Sequence, residues 1–233
     1  MLPPPQVLTV AFCLCQAVTM TDFIAPNEIL AGINYADTPF YPPELKDTVN
    51  YRLKFEYLAP EMAPVISELG GAPNVMPDRT YQDALDAGMQ YDIIWVPAGP
   101  IPDQHTYEEK TPQIAADFIA AQAPGAKYVM SVCEGSAVLA KSGVLDGRRA
   151  TTNKWLYRII EDLFPTVNWV AKARWVVDGK FWTSSGVSAG SDMAMAFVEH
   201  LVGHDNAQFV RGMIEVIEHD QDDDPFAEFH HLV

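Results

Sequence analysis

Three short, almost uninterrupted apolar runs constrain this chain most: VLTVAFCLC at Val7–Cys15, DIIWV at Asp92–Val96 and KYVMSV at Lys127–Val132. Each lacks the polar alternation of a half-exposed strand, so each reads as a strand covered on both faces. Stretches with helical spacing lie between and after them. Asp22 to Asn34 puts Ile24, Ile29, Leu30 and Ile33 on one face, and Thr111–Ala123 turns Ile114, Phe118 and Ile119 inward. Glu134–Lys141, Trp155–Phe164 and Ala189–Val202 continue the pattern. Buried strands alternating with helices define an α/β layered fold with a mostly parallel sheet. Tyr51–Leu58 alternates as a further strand, Val65–Asp78 reads as short strands broken by Gly and Pro, and Ala150–Thr152 as a short strand. Arg174–Val177 and Lys180–Ser184 form a hairpin about Asp178-Gly179, which predicts a type I′ turn. Asn34 to Asn50, with its aromatics Tyr35, Phe40 and Tyr41, has no period and predicts a long loop. It is expected either to wall an apolar pocket or to make a dimer contact.

Composition narrows the partners. Fifteen Lys and Arg against 31 Asp and Glu leave a net charge of −16. Such a surface repels phosphate backbones and anionic lipid, so neither nucleic acid nor membrane is expected as a partner. Neutral or cationic small molecules fit better. With 48% hydrophobic residues the chain can build a core, and no apolar run reaches the length of a membrane span. No Lys or Arg precedes Lys46, so the apolar N-terminal run reads as a first strand rather than a secretory signal. The expected location is cytoplasmic. Three cysteines make no disulfide framework, and no C-x-x-C or H-E-x-x-H occurs, so no metal and no cofactor are expected. From Glu215 to Glu228 seven acids occur with no Lys or Arg, which reads as a solvated tail.

Cys133 carries the chemical signal. It closes the strand KYVMSV and opens a helix, in the order Ser131-Val132-Cys133-Glu134-Gly135-Ser136-Ala137. A sharp strand-to-helix turn projects one side chain above the sheet edge, as in a nucleophile elbow. The helix start is expected to lower the thiol pKa and so to favour the thiolate, the reactive form. Gly135, Ser136 and Ala137 are small enough for close packing on the sheet. The alternative is a buried structural thiol, the reading that suits Cys13 and Cys15.

YVMSVCEGSAVLAKSGVLDGRRATTNKW together with TSSGVSAGSDMAMAFVEHLVG strongly resembles the DJ-1/PfpI superfamily, in particular its isonitrile hydratase-like branch and the related amidase-like domain of some AraC-type regulators. MTDFIAPNEIL and DIIWVPAGP fit the same pattern, and the likeness runs from about residue 7 to about residue 215. It implies a flavodoxin-like three-layer sandwich, one such domain over residues 1–233, and a homodimer with the cysteine near the interface. It implies Cys133 as nucleophile and Asp22 as its acid partner in proton transfer. Backbone N–H groups around Gly99, Glu134 and Gly135 would cradle an intermediate, with Asn153 nearby.

Two positions depart from that pattern. Glu134 stands where the hydratase branch usually has Thr, and Asn153 where it typically has His. Asn153 cannot move a proton at neutral pH, so neither a Cys–His dyad nor an amidotransferase triad is supported. Glu134 is either a second acid beside Asp22 or a side chain pointing to solvent or an arginine. Asp22 is either the acid or a helix N-cap. Met193 and Met195 read as core; Trp155 either reaches the site or belongs to the core as part of its amphipathic helix. The expected function is a cysteine-dependent hydratase or lyase on a small neutral molecule, with isonitrile hydration as the named reaction. Glyoxalase-like conversion of 2-oxoaldehydes and a redox-sensing role for Cys133 are the alternatives.

Overall fold

The computed structural model describes residues 4–67 and 70–233. The strands are β1 (Gln6–Cys13), β2 (Tyr51–Ala59), β3 (Arg79–Thr80), β4 (Ile93–Val96), β5 (Tyr128–Val132), β6 (Arg149–Ala150), β7 (Asn168–Trp169), β8 (Trp175–Asp178) and β9 (Phe181–Ser184). The helices are α1 (Thr21–Ala31), α2 (Pro43–Lys46), α3 (Tyr81–Asp86), α4 (Gln113–Gln122), α5 (Gly135–Lys141), α6 (Tyr157–Leu163), α7 (Val187–Val202), α8 (His204–Ile214) and α9 (Phe226–Phe229). Seven strands form one sheet in the order β3-β2-β1-β4-β5-β9-β8. All neighbours run parallel except the hairpin β8–β9. β6 and β7 pair separately.

Alternation along β1 explains the layers. Leu8, Val10 and Phe12 point into a core completed by Phe23, Leu30, Met193, Phe197 and Val210 of α1, α7 and α8. Ala11 and Cys13 point to the opposite face, where Tyr81, Phe118, Ile119 and Leu139 of α3, α4 and α5 cover them. Successive strand residues alternate faces, so a strand with both sets apolar must be covered twice. The expected three-layer sandwich is therefore the observed one, with Met193 and Met195 in the core.

Several local expectations change. The N-terminal strand stops at Cys13, and the first helix passes into a 3₁₀ turn over Gly32–Asp37. The supposed loop after it holds that turn and α2. Tyr41 in it is buried, its hydroxyl donating to Asn206 Oδ1 at 2.8 Å, while Tyr35 and Phe40 line an outer groove with Phe209 and Met213. Between Val65 and Asp78 the described residues form only isolated bridges, Val65 with Val75 and Ser67 with Val18. The hairpin turns one residue later than predicted. Asp178 pairs with Phe181, and Gly179-Lys180 makes the loop. Only Gly179 takes a positive φ, the requirement of a type II′ turn rather than I′.

The largest correction concerns the acidic C-terminal segment, which is docked on the body although six of its seven acids stay exposed. Asp224 and Ala227 are buried. Arg174 N–H donates to Gln221 O at 2.8 Å, Lys172 pairs with Glu228 at 2.8 Å, and Arg158 donates to His231 O at 3.2 Å. Lys154 and Lys172, paired with Asp224 and Glu228, are cations that a count within the segment itself misses. No helix among the described residues is long and apolar enough to cross a membrane.

Candidate active site

The carboxyl ends of β1, β4, β5 and β9 meet at Cys133, the position where open parallel sheets place their ligands. Cys133 has φ 59°, the left-handed region. An L-residue there costs roughly 1–2 kcal/mol, and the surroundings hold it. Its N–H donates to Ser184 O at 3.2 Å and Ser185 O at 2.7 Å, past the end of β9. Its carbonyl accepts from Ser136 Oγ at 3.0 Å and Thr152 Oγ at 3.2 Å. Gly135 makes this turn possible for another reason. A Cβ there would sit 2.1 Å from Val96 O and 2.8 Å from Pro97 O, so only glycine lets α5 start against the end of β4.

Around the sulfur lie the acids named from sequence. Asp22 is wholly buried in the first turn of α1. It does not cap that helix. Its Oδ2 accepts from Ala98 N–H at 3.0 Å, across the sheet end, while Trp95 Nε1 fixes its backbone carbonyl at 3.0 Å. Oδ1 is buried with no hydrogen-bond partner among the described residues. Burial pushes the Asp22 carboxyl up to about 7, against the Ala98 bond, with Glu134 adding repulsion. Glu134 is also buried, turned toward the thiol rather than to solvent or an arginine, and burial raises its pKa.

The expected lowering of the Cys133 pKa is reversed. Burial raises it well above the ordinary thiol value, and the charges of Glu134 and Asp22 push the same way. α5 has seven residues, and its partial charge at one end is outweighed by two facing carboxylates and exclusion of water. Asn153 opposes them. Its Nδ2 donates to Cys133 Sγ at 3.0 Å, while its Oδ1 accepts from Trp155 N–H at 2.9 Å and so fixes the amide orientation. Asn153 thus supplies a donor to sulfur without being able to carry its proton.

Gly99 lies buried on the β4 loop beside Ala98, where a side chain would meet Cys15 Cβ at 3.3 Å. The N–H of this loop that reaches a site acid is that of Ala98. Sequence reasoning missed Ala98, Thr152 and the whole contribution of the C-terminal segment. Of the two places open to Trp155 the core is excluded: it is 57% exposed and lines a cavity that Asn153 also lines. The signal for the C-terminal contribution was the spacing of Phe226, Ala227 and Phe229 after Pro225, an apolar interruption of the acidic run.

A seven-stranded, mostly parallel sheet with a strained cysteine elbow at its carboxyl edge defines a class of α/β sandwich. Residues 9–200 match the DJ-1/PfpI family, and the chain belongs to it. It is 34% identical over 209 residues to the isonitrile hydratase of Pseudomonas putida, across 89% of this chain and 78% of that one. A deglycase of Pyrococcus abyssi is 36% identical over 100 residues, 42% of this chain and 54% of that one. Among solved structures, a ThiJ/PfpI family protein from Pseudomonas syringae superimposes with a TM-score of 0.71 at 22% identity, covering 94% of this chain and 79% of that one. DJ-1beta of Drosophila melanogaster gives 0.69 at 18% identity, covering 91% and 100%. These two likenesses concern the fold.

Proposed function

We propose that this chain is a cysteine-dependent hydratase that adds water to a small neutral isonitrile through Cys133. The observation that carries the reading is the Asp22 carboxyl: buried beside the thiol, held at one oxygen by Ala98 N–H, unpartnered at the other, and poised at about 7. Such a group can hold or release a proton at physiological pH. The long likeness to the Pseudomonas putida isonitrile hydratase supports the choice of substrate class.

Isonitrile hydration needs a nucleophile and a proton on the same carbon. Sulfur attacks the terminal carbon of R–N≡C, and that carbon takes a proton, giving the thioimidate R–N=CH–S–Cys133. A thiol kept protonated at rest is no handicap here, because its own proton, relayed by Asp22, is the one the carbon needs. Water then adds to the carbon while nitrogen takes a proton. The C–S bond breaks, Asp22 takes the hydroxyl proton and passes it to the departing sulfur, and R–NH–CHO leaves with the thiol restored. Glu134 shares the proton inventory, for two facing carboxylates are not both ionised at low cost. Asn153 stabilises the departing thiolate, and the backbone N–H groups of Gly99 and Gly135 are the donors assigned to charge developing on nitrogen. The protein acts as a homodimer in this reading, and sedimentation at micromolar concentration should give twice the mass of one chain.

The test is N-formyl amide formation from an aryl isonitrile, followed by chromatography. Wild type should produce it and Cys133→Ala should not. Inert wild type on isonitriles, with turnover of methylglyoxal, would move the assignment to glyoxalase-like chemistry. Inactivity on both would favour oxidation of Cys133 as its role.

A further inference from the structure

Beyond the reacting atoms lies a cavity of about 330 Å³ between Asn153, Trp155, Val187 and the C-terminal residues Phe226 and His230. We propose that this cavity seats the aryl body of the molecule that reacts at Cys133, and that Trp155 and Phe226 set which bodies fit. The proposal rests on the reading of Cys133 as nucleophile and adds the substrate class.

Continuity with the sulfur comes first. Asn153 lines the cavity and donates to Cys133 Sγ, so this one side chain touches both, while the sulfur itself is not part of the lining. Size comes next. Small-molecule sites span about 300–1,000 Å³, and about 150 Å³ suffices for benzene. At about 330 Å³ the cavity has room for one ring with its reactive group and for roughly a second ring's volume besides. Its charge balance is the third point. Lys154 stands in the wall, but it is buried and faces buried Asp224 at 3.5 Å, with further bonds to Thr151 Oγ1 at 2.7 Å and Ala173 O at 3.0 Å. Its charge is spent inside the protein. His230, Ser185 and Ser188 make part of the lining polar, while the indole of Trp155 and the phenyl of Phe226 offer flat apolar surface to a ring.

The wall is also built to stay in place. Asp224 Oδ1 accepts from Phe226 N–H at 3.0 Å, and Oδ2 accepts from Ala173 N–H at 3.1 Å. Asp224 thus ties Phe226 to Lys154, the residue that follows Asn153. The position of one cavity wall is coupled to the donor on sulfur through a single buried ion pair.

Alkylation of Cys133 reads the cavity without relying on any enzymatic activity. Rates for iodoacetamide and N-benzyl iodoacetamide, measured on the intact protein by peptide mass mapping, give a benzyl-to-parent ratio. Wild type should favour the benzyl reagent. Phe226→Ala and Trp155→Ala should each lower the ratio, by up to roughly tenfold for loss of one aromatic contact, and Phe226→Leu should restore part of it. Glu228→Gln, on the same short helix but outside the cavity, should leave the ratio as in wild type. A ratio that is the same in all variants overturns the proposal. So does a benzyl rate that rises when Phe226 is truncated, or a Cys133 that neither reagent reaches. Failure of isonitrile hydration with the expected ratio pattern would remove the reaction and leave the cavity assignment standing.

Discussion

Cys13 and Cys15 on one side of the sheet and Cys133 on the other are all buried thiols, and burial raises the pKa of each. Their surroundings differ in every other respect. Cys13 continues the alternation of β1 into the layer under α3 to α5, and Cys15 follows it there, pushed up to about 12. Neither has positive φ. Cys133 sits in left-handed backbone, with an amide on its sulfur, two buried acids facing it and a cavity one residue away. A raised thiol pKa therefore does not by itself set Cys133 apart from the two packed cysteines; its backbone, its amide donor and the two buried acids near it do.

Substitutions should separate the two regions most sharply at the thiols themselves. Cys133→Ala should abolish N-formyl amide formation, while Cys15→Ser should retain it; retained activity in Cys133→Ala ends the thiolate mechanism. Asp22→Asn comes next, keeping the shape and the bond from Ala98 but not the proton. Loss of general acid–base assistance predicts a fall in kcat of about 10²–10⁴-fold. The same variant has a stability signature. An acid at about 7 when folded and 3.8 as a free side chain binds more protons folded than unfolded between those values, so the folded state loses stability as pH rises from about 4 to about 7. Asp22→Asn should therefore raise Tm at pH 8, by roughly 2–4 °C per kcal/mol relieved in a chain of this size, and bring no gain at pH 3. An unchanged Tm at pH 8 would mean the carboxyl is not strained by ionisation.

Asn153→Ala should cost less, roughly 10- to 100-fold in kcat, the worth of one hydrogen bond to a charged group. It should also move the alkylation–pH profile of Cys133 upward, which a purely structural residue would not do. Glu134→Thr should have the smallest effect on simple isonitriles if Glu134 tunes the substrate. A fall comparable to that of Asp22→Asn would make Glu134 the second acid instead.

The layered fold was legible because β1, β4 and β5 are apolar on both faces, and that pattern leaves few alternatives. The elbow was legible for a local reason, a strand running into Cys-Glu-Gly-Ser-Ala. Asp22 was found only by resemblance, since nothing near it in sequence shows that its partner is Ala98, seventy-six residues on. The sign of the thiol shift was misjudged because helix-end charge is a sequence-local quantity and burial beside Asp22 is not. The C-terminal segment was misread for the same reason. Its charges looked unpaired along the chain, while Lys154 and Lys172, the partners of Asp224 and Glu228, come from a distant stretch. The hairpin shift by one residue reflects a turn in which Gly179 alone bears the positive φ.

The left-handed backbone at Cys133 bears on how such a chain drifts over generations. Glycine adopts this conformation with no steric penalty, so a random replacement of Cys133 by glycine would relieve roughly 1–2 kcal/mol of backbone strain. The lost packing of a buried side chain and the Asn153 amide left without its partner offset that gain. Folding is then close to indifferent to the sulfur, and whether a lineage keeps this cysteine is decided by its chemistry.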